Sequence, residues 1–75
     1  MTGGKSNQKS GITANMEDYL ECIYELALEQ GHEEVRVTDI ARKMHVSRPS
    51  VVGMIKHLVE HRLVRHEHYG GVRLT

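Results

Sequence analysis

Three residues on one predicted helix have the side-chain types and spacing to hold a metal ion. Asp18 and Glu21 are three positions apart, so two carboxylates lie side by side on one helical face, with Cys22 on its flank. Carboxylate oxygens suit a hard divalent cation such as Mn²⁺, but a stable site needs about four to six ligands and these residues supply two or three. Spacing alone therefore favours a solvated acidic face, with Cys22 as a small buried residue.

The helix that carries these residues is predicted over residues 13–30. Its start is capped by Thr13 or by Asn15, and Asn15 would form a capping box with Asp18. Gly31 supplies the C-terminal stop. The predicted apolar stripe consists of Met16, Tyr19, Leu20, Ile23, Tyr24, Leu26 and Ala27, opposite a face of glutamates. Residues 1–12 are rich in Gly, Ser, Asn and Lys and are predicted to form a disordered arm.

Residues 38–63 predict two short helices that meet at a tight turn, because two apolar blocks with helical spacing flank residues 45–47. Thr38 is the predicted N-cap of the first helix, and Val46 is predicted to be a buried plug in the turn. Pro49 fits the first turn of the second helix and biases Arg48 away from helical geometry. The N-cap of that helix is therefore either Ser47 or Arg48.

The second helix of this unit has a polar face opposite its apolar stripe. The polar face carries Ser50, Gly53, Lys56, His57 and Glu60. A helix-turn-helix inserts its second helix into the DNA major groove, and small polar residues with a cation near the N-terminal end suit that role. The alternative is a plain helical hairpin with a solvated face.

Short strands before and after this unit complete the predicted fold. A brief strand at residues 35–37 needs a partner, and residues 63–75 provide one. They predict a hairpin with strands at 63–68 and 72–74 around a Tyr-Gly-Gly turn. This order predicts a mainly α winged helix-turn-helix with three helices, a short strand and a two-stranded wing. Arg65, His66, His68, Tyr69 and Arg73 would make the wing basic enough to follow a phosphate backbone, or they are only solvated strand residues.

The length and composition of the chain argue against an enzyme and against a membrane-spanning protein. A chain of 75 residues forms one domain with no room for an ordinary enzyme pocket, and we find no activated nucleophile and no phosphate-binding loop. The chain has one cysteine, no signal peptide and no membrane-spanning run, which predicts a soluble cytoplasmic protein. Residues 1–35 carry a net charge of −5 and residues 36–75 a net charge of +5, so only the second half suits a polyanion.

His57 and His61 have zinc-compatible spacing but lack further ligands, which favours unliganded histidines.

The segments NMEDYLECIYEL, VRVTDIARKMHVSRPSVVGMIKHLVEHRLV and YGGVRLT together resemble the amino-terminal domain of the diphtheria toxin repressor family of metal-dependent repressors, most closely its manganese transport regulator branch. The resemblance covers about residues 15–75. It implies a DNA-binding winged helix in which Asp18 and Glu21 are metal ligands, so it overrides the solvated-face interpretation. It also implies that Ser47, Pro49, Ser50 and Gly53 face DNA, although relatives usually carry a polar side chain where this chain has Gly53.

In that family a helical domain follows the winged helix, completes the metal site and forms a homodimer. Those ligands and that interface are absent from residues 1–75, so the chain is either a fragment or a naturally short regulator. The resemblance implies a repressor of metal-uptake genes that responds to Mn²⁺ or Fe²⁺. Its expected partner is double-stranded DNA, and no association with a membrane is expected. The alternatives are a protein-interaction module, a metal-storage peptide and a metal-independent winged-helix regulator. The DNA contacts that we expect come from Arg36, Thr38, Arg42, Lys43, Ser47, Arg48, Pro49, Ser50, Val52, Gly53, Lys56, Tyr69, Gly70 and Arg73.

Overall fold

The first helix, α1, spans Ala14–Gln30 in a computed structural model that describes residues 14–67 and 70–75. It ends as predicted at Gly31, whose φ of 77° is left-handed and whose N–H donates to the Ala27 carbonyl at 2.9 Å. Asn15 is the second helical residue, so the prediction that it caps the helix is wrong. The other predicted cap, Thr13, and the predicted disordered arm lie outside the described residues.

Strand β1 (Val35–Arg36) leads directly into helix α2 (Val37–Met44). Because no residue separates the two elements, Arg36 occupies the N-cap position and Thr38 lies inside the first turn. The prediction that Thr38 caps this helix is therefore wrong. No side-chain cap hydrogen bond is found at Arg36 within the described part of the chain.

The turn after α2 is closed by its own backbone. His45 has a φ of 61°, the N–H of His45 donates to Arg42 O at 3.3 Å, and the N–H of Val46 donates to Ala41 O at 3.0 Å. This pair of bonds is a Schellman motif with a non-glycine residue at its left-handed position. Val46 is 38% exposed, so the prediction of a buried plug is wrong. The two backbone bonds and the buried Ala41 close the turn instead.

Helix α3 spans Arg48–Glu60 and begins at a side-chain cap. The Ser47 hydroxyl oxygen accepts a hydrogen bond from the Ser50 N–H at 3.2 Å, so Ser47 is the N-cap. Pro49 lies in the first turn, as predicted. Arg48 is helical despite the bias imposed by the proline that follows it, because the capped first turn includes it.

Strands β2 (Val64–His66) and β3 (Gly71–Leu74) form the predicted hairpin, and the sheet order is β1-β3-β2 with antiparallel pairs. The Gly70 N–H donates to Glu67 O at 3.0 Å, and Gly70 has a φ of 92°. Gly71 belongs to β3 rather than to the turn, so the return strand begins one residue earlier than predicted. His68 and Tyr69 lie outside the described residues.

The core lies where all three helices meet the inner face of this sheet. It is built from Met16, Tyr19, Cys22, Ile23, Leu26, Val35, Ile40, Ala41, Val51, Ile55, Leu58, Val64 and Val72. Tyr24 is 55% exposed and Leu28 65% exposed, so the prediction that Tyr24 widens the buried stripe is wrong. The predicted winged helix-turn-helix is confirmed. Among the described residues, no helix combines the length and apolar character needed to span a membrane.

Candidate nucleic-acid interface

Helix α3 has one buried face and one exposed face. Val51, Ile55 and Leu58 are fully buried against the rest of the fold. The exposed residues of the opposite face are Ser50, Gly53, Lys56, His57 and Glu60, as the sequence predicts. Because the apolar face is anchored in the core, the exposed face is held at a fixed angle to the domain. A helix presented in this way can enter the major groove without any change in the fold.

The N-terminal end of α3 is rigid and polar. The Ser47 and Ser50 hydroxyl oxygens lie 2.9 Å apart, and the Ser47 oxygen also accepts the Ser50 N–H. Arg48 and Pro49 are exposed beside them, whereas Val52 is half-buried. Ser47 therefore has a structural role as a cap, and the cation at this end is Arg48.

Gly53 occupies the centre of the exposed face of α3. It lies one turn from Pro49 and Ser50 on one side and from Lys56 and His57 on the other. A Cβ atom at Gly53 would meet no described atom within 4 Å. Glycine in a helix interior costs about 1 kcal/mol relative to alanine. The described part of the fold therefore gives no packing reason for glycine at this position.

The sheet places three arginines on its outer face. Arg65 of β2 lies opposite Arg73 of β3, and Arg36 of β1 lies opposite Gly71, two residues before Arg73. Since side chains alternate along a strand, Arg36, Arg65 and Arg73 share one face. Arg36 and Arg65 are exposed, whereas Arg73 forms an ion pair with Glu33. The sequence predicts that residues 63–75 supply the partner of the strand at 35–37, and the pairing of β1 with β3 confirms it. It does not predict which strand of the hairpin is that partner, nor the register that brings Arg36 beside Arg73.

The two cations at the end of α2 differ in their partners. Lys43 Nζ lies 3.0 Å from Glu29 Oε2 and 3.6 Å from Glu25 Oε1, so it joins α2 to α1. The hydrogen bond to Glu29 raises the pKa of Lys43 above its usual value. Arg42 is 75% exposed and lies 3.4 Å from Asp39 on its own helix. Sequence reasoning assigned Lys43 to phosphate contacts and missed its carboxylate partners on α1.

The residues predicted to bind metal are only partly brought together. Asp18 and Glu21 are exposed one turn apart on α1, and their hard oxygen atoms fit Mn²⁺ as two of its ligands. Cys22 is 3% exposed within the core, and burial raises the pKa of its thiol. In the described ranges, no three His, Cys, Asp or Glu residues form a group that would hold a metal ion. Among the described residues, the pair would therefore offer only two oxygen ligands to a metal ion.

The histidines near the end of α3 make local contacts. His61 Nδ1 lies 2.9 Å from the His57 carbonyl oxygen, and His57 Nδ1 lies 3.8 Å from a carboxylate oxygen of Glu60. Both imidazoles are exposed. His61 thus contacts the backbone of the last turn of α3, and His57 lies beside Glu60 of the same turn.

A helix-turn-helix with an exposed polar second helix, followed by a wing whose outer face is basic, defines the winged-helix class of DNA-binding domains. Residues 11–72 match the family model described as iron dependent repressor, N-terminal DNA binding domain. The chain belongs to this family, and the resemblance noted from its motifs is confirmed.

Relatives in the manganese regulator branch support the same assignment. The HTH-type transcriptional regulator MntR of Shouchella clausii (strain KSM-K16) is 43% identical over 63 residues, which cover 84% of this chain and 43% of that protein. MntR of Bacillus subtilis (strain 168) is 41% identical, and so is MntR of Geobacillus kaustophilus (strain HTA426), with the same coverage. The chain spans less than half the length of the curated relatives it matches.

Proposed function

We propose that this chain is the DNA-reading domain of a transcriptional repressor of metal-uptake genes that responds to Mn²⁺ or Fe²⁺ in the cytoplasm. The observation that carries the proposal is the exposed polar face of α3, held outward by the burial of Val51, Ile55 and Leu58. Membership of a repressor family through its DNA-binding domain supports the same function.

In this proposal α3 lies in the major groove with its capped N-terminal end toward the base edges. A helix with side chains is about 10–12 Å across and the groove is about 12 Å wide, so α3 fits closely. Arg48 and Lys56 are exposed on α3 and lie within reach of bases or flanking phosphates. Arg36 and Arg65, on the outer face of the sheet, would contact the backbone beside the groove.

The proposed metal response begins on α1. Asp18 and Glu21 would supply two oxygen ligands to a divalent cation, which would neutralise their charge and fix the position of α1. Lys43 links α1 to α2 through Glu29, and Gln30 donates a 2.9 Å hydrogen bond to Asp39 of α2. These contacts connect the metal-binding face of α1 to the helix-turn-helix. In the full-length homodimer that we propose, further ligands come from outside residues 1–75.

The test is fluorescence anisotropy of a labelled duplex pool titrated with this chain across a salt series, with Mn²⁺ and then with EDTA. We expect weak binding, with a Kd on the order of 10⁻⁵ M, that weakens steeply as salt rises because phosphate contacts release counterions. We also expect Mn²⁺ and EDTA to give the same curve, since two ligands alone hold the ion weakly. A sharp Mn²⁺ requirement would contradict the proposal that Asp18 and Glu21 are only part of the metal site and that the other ligands come from outside residues 1–75.

A pair of charge reversals locates the binding surface. Arg48→Glu lies at the N-terminal end of α3, whereas Arg62→Glu makes the same charge change beyond its other end, about 20 Å away along the helix. We expect Arg48→Glu to remove most of the binding and Arg62→Glu to have a smaller effect. Equal losses would show only a nonspecific response to net charge. Absence of duplex binding by the wild-type chain at low salt would favour the protein-interaction module.

A further inference from the structure

We infer that Gly53 is a specificity-determining residue: its missing side chain leaves a notch in the recognition face of α3 that receives the major-groove edge of a base pair. The inference rests on the proposed function, because it assumes that α3 enters the groove. It goes further by assigning a role to the absence of a side chain at one position.

Folding alone does not explain glycine at this position. Gly53 lies in the interior of α3, where glycine is the least favourable residue apart from proline. Its φ is outside the left-handed region, since Gly31 and Gly70 are the glycines with positive φ in the described part of the chain. A Cβ atom at Gly53 would meet no described atom within 4 Å, so no close approach by a described residue requires glycine. The inference assigns the benefit of glycine to a partner that contacts the exposed face.

The surroundings of Gly53 match the edge of a base pair. Ser50 and Lys56, one turn before and after it, bring a hydroxyl group and an ammonium group to the rim of the notch, and Pro49 adds an apolar ring. The major-groove edges of base pairs present hydrogen-bond acceptors, hydrogen-bond donors and the apolar thymine methyl group. The ammonium group of Lys56 can donate to acceptors on a base edge, and the Ser50 hydroxyl, which also contacts the Ser47 hydroxyl, can donate or accept there.

The side chain at position 53 affects how closely α3 can approach the bases in the major groove. An α-helix with its side chains nearly fills the width of the major groove. How closely its backbone approaches the base edges depends on the size of the side chains at its central outward position. At that position a methyl group would hold the backbone away from the bases. It would also increase the distances from both Ser50 and Lys56 to the base edge.

The experiment compares the wild-type chain with Gly53→Ala and Gly53→Val. The probes are a fluorescein-labelled duplex enriched by the wild-type chain from a random-sequence library and the unenriched library itself. We expect Gly53→Ala to raise Tm by about 4–8 °C, because alanine is the better helix former. We expect it to weaken binding to the enriched duplex by about tenfold, a typical cost of steric overpacking, and Gly53→Val to weaken it further. Binding to the unenriched library, which depends on phosphate contacts, changes by less than about twofold.

The possible results separate this inference from the function on which it rests. If the wild-type chain binds neither probe at low salt, the proposed function fails and the inference fails with it. If the wild-type chain binds and Gly53→Ala binds the enriched duplex equally or more tightly, the inference is overturned while the proposed function stands. If both probes lose affinity by the same factor, Gly53 affects general docking, and a role in specificity is overturned.

Discussion

Lys43 of α2 donates a 3.0 Å hydrogen bond to a carboxylate oxygen of Glu29, one helix away on α1. The same ammonium group lies 3.6 Å from Glu25, so two acidic residues of α1 hold one cation of the helix-turn-helix. The contact draws the two oppositely charged halves of the sequence together. It also makes this lysine less available to DNA than a free cation.

The partners of Lys43 lead to a prediction about salt dependence. Arg36→Ala should reduce the slope of log K against log salt by about 0.9, the value for one lost phosphate contact, because Arg36 is exposed on the basic sheet face. Lys43→Ala should change the slope less, because Glu29 and Glu25 already neutralise its charge. Anisotropy titrations at several salt concentrations measure both slopes. A larger change for Lys43→Ala than for Arg36→Ala would refute this assignment.

Capping by Ser47 can be separated from DNA contact. Ser47→Ala removes the acceptor of the Ser50 N–H and should lower the free energy of unfolding by about 1 kcal/mol, which corresponds to roughly 4–8 °C in Tm for a domain of this size. Thermal unfolding followed by circular dichroism gives the value. An unchanged Tm would show that the cap contributes nothing.

Ser47→Asp is the matched control for that experiment. Aspartate is as good an N-cap as serine, and its charge is favourable at a helix N-terminus, so Tm should remain close to the wild-type value. Duplex affinity should nevertheless fall, because a carboxylate now faces the phosphates. A loss of affinity larger than that of Arg62→Glu, without loss of stability, would place this end of α3 at the DNA.

The left-handed residue between the two helices offers a stabilising change. A non-glycine residue at a left-handed φ is strained, and His45 has a φ of 61°. His45→Gly should relieve the strain and raise the free energy of unfolding by about 0.5–1 kcal/mol, whereas His45→Ala should give no gain. Urea denaturation of the three proteins tests the difference. A stability gain in the alanine variant alone would contradict the backbone explanation.

The buried thiol predicts a pH dependence of stability. Burial raises the pKa of Cys22 above its usual value of 9.0, so the folded state keeps the proton that the unfolded state loses. The corresponding stability is fully present below pH 9.0 and is lost as the pH rises through the higher folded-state value. Urea denaturation from pH about 8 to about 10 should show a steeper decline for wild type than for Cys22→Ala. Parallel declines would show that other groups cause the pH effect.

The fold was predictable from the sequence because local signals agreed with one another. The apolar spacing of Ile40, Val51, Ile55 and Leu58 predicted two helices, and all four residues are buried. Gly31 marked a helix end by the chemistry of its cap, and Ser47 was one of the two N-cap candidates for α3. The prediction for Thr38 was wrong because cap propensity is a local signal. Strand β1 leads directly into α2, so Thr38 lies inside the helix.

The candidate site was less predictable because several of its contacts join residues distant in sequence. The Lys43–Glu29 pair depends on how α2 packs against α1 and has no local pattern. The strand pattern did indicate that β1 pairs with the hairpin, but not that β3 is its partner strand. Asp18 and Glu21 could be placed on one helical face by spacing, but their role as metal ligands came from the family resemblance. It stays a prediction.

The central claim is that α3 enters the major groove, and amide chemical shifts of the ¹⁵N-labelled chain during titration with duplex DNA test it most directly. The account predicts that the largest changes occur in residues 47–56, with smaller changes at Arg36 and along β2 and β3. Changes confined to α1 around Tyr24 and Leu28, with residues 47–56 unaffected, would contradict it.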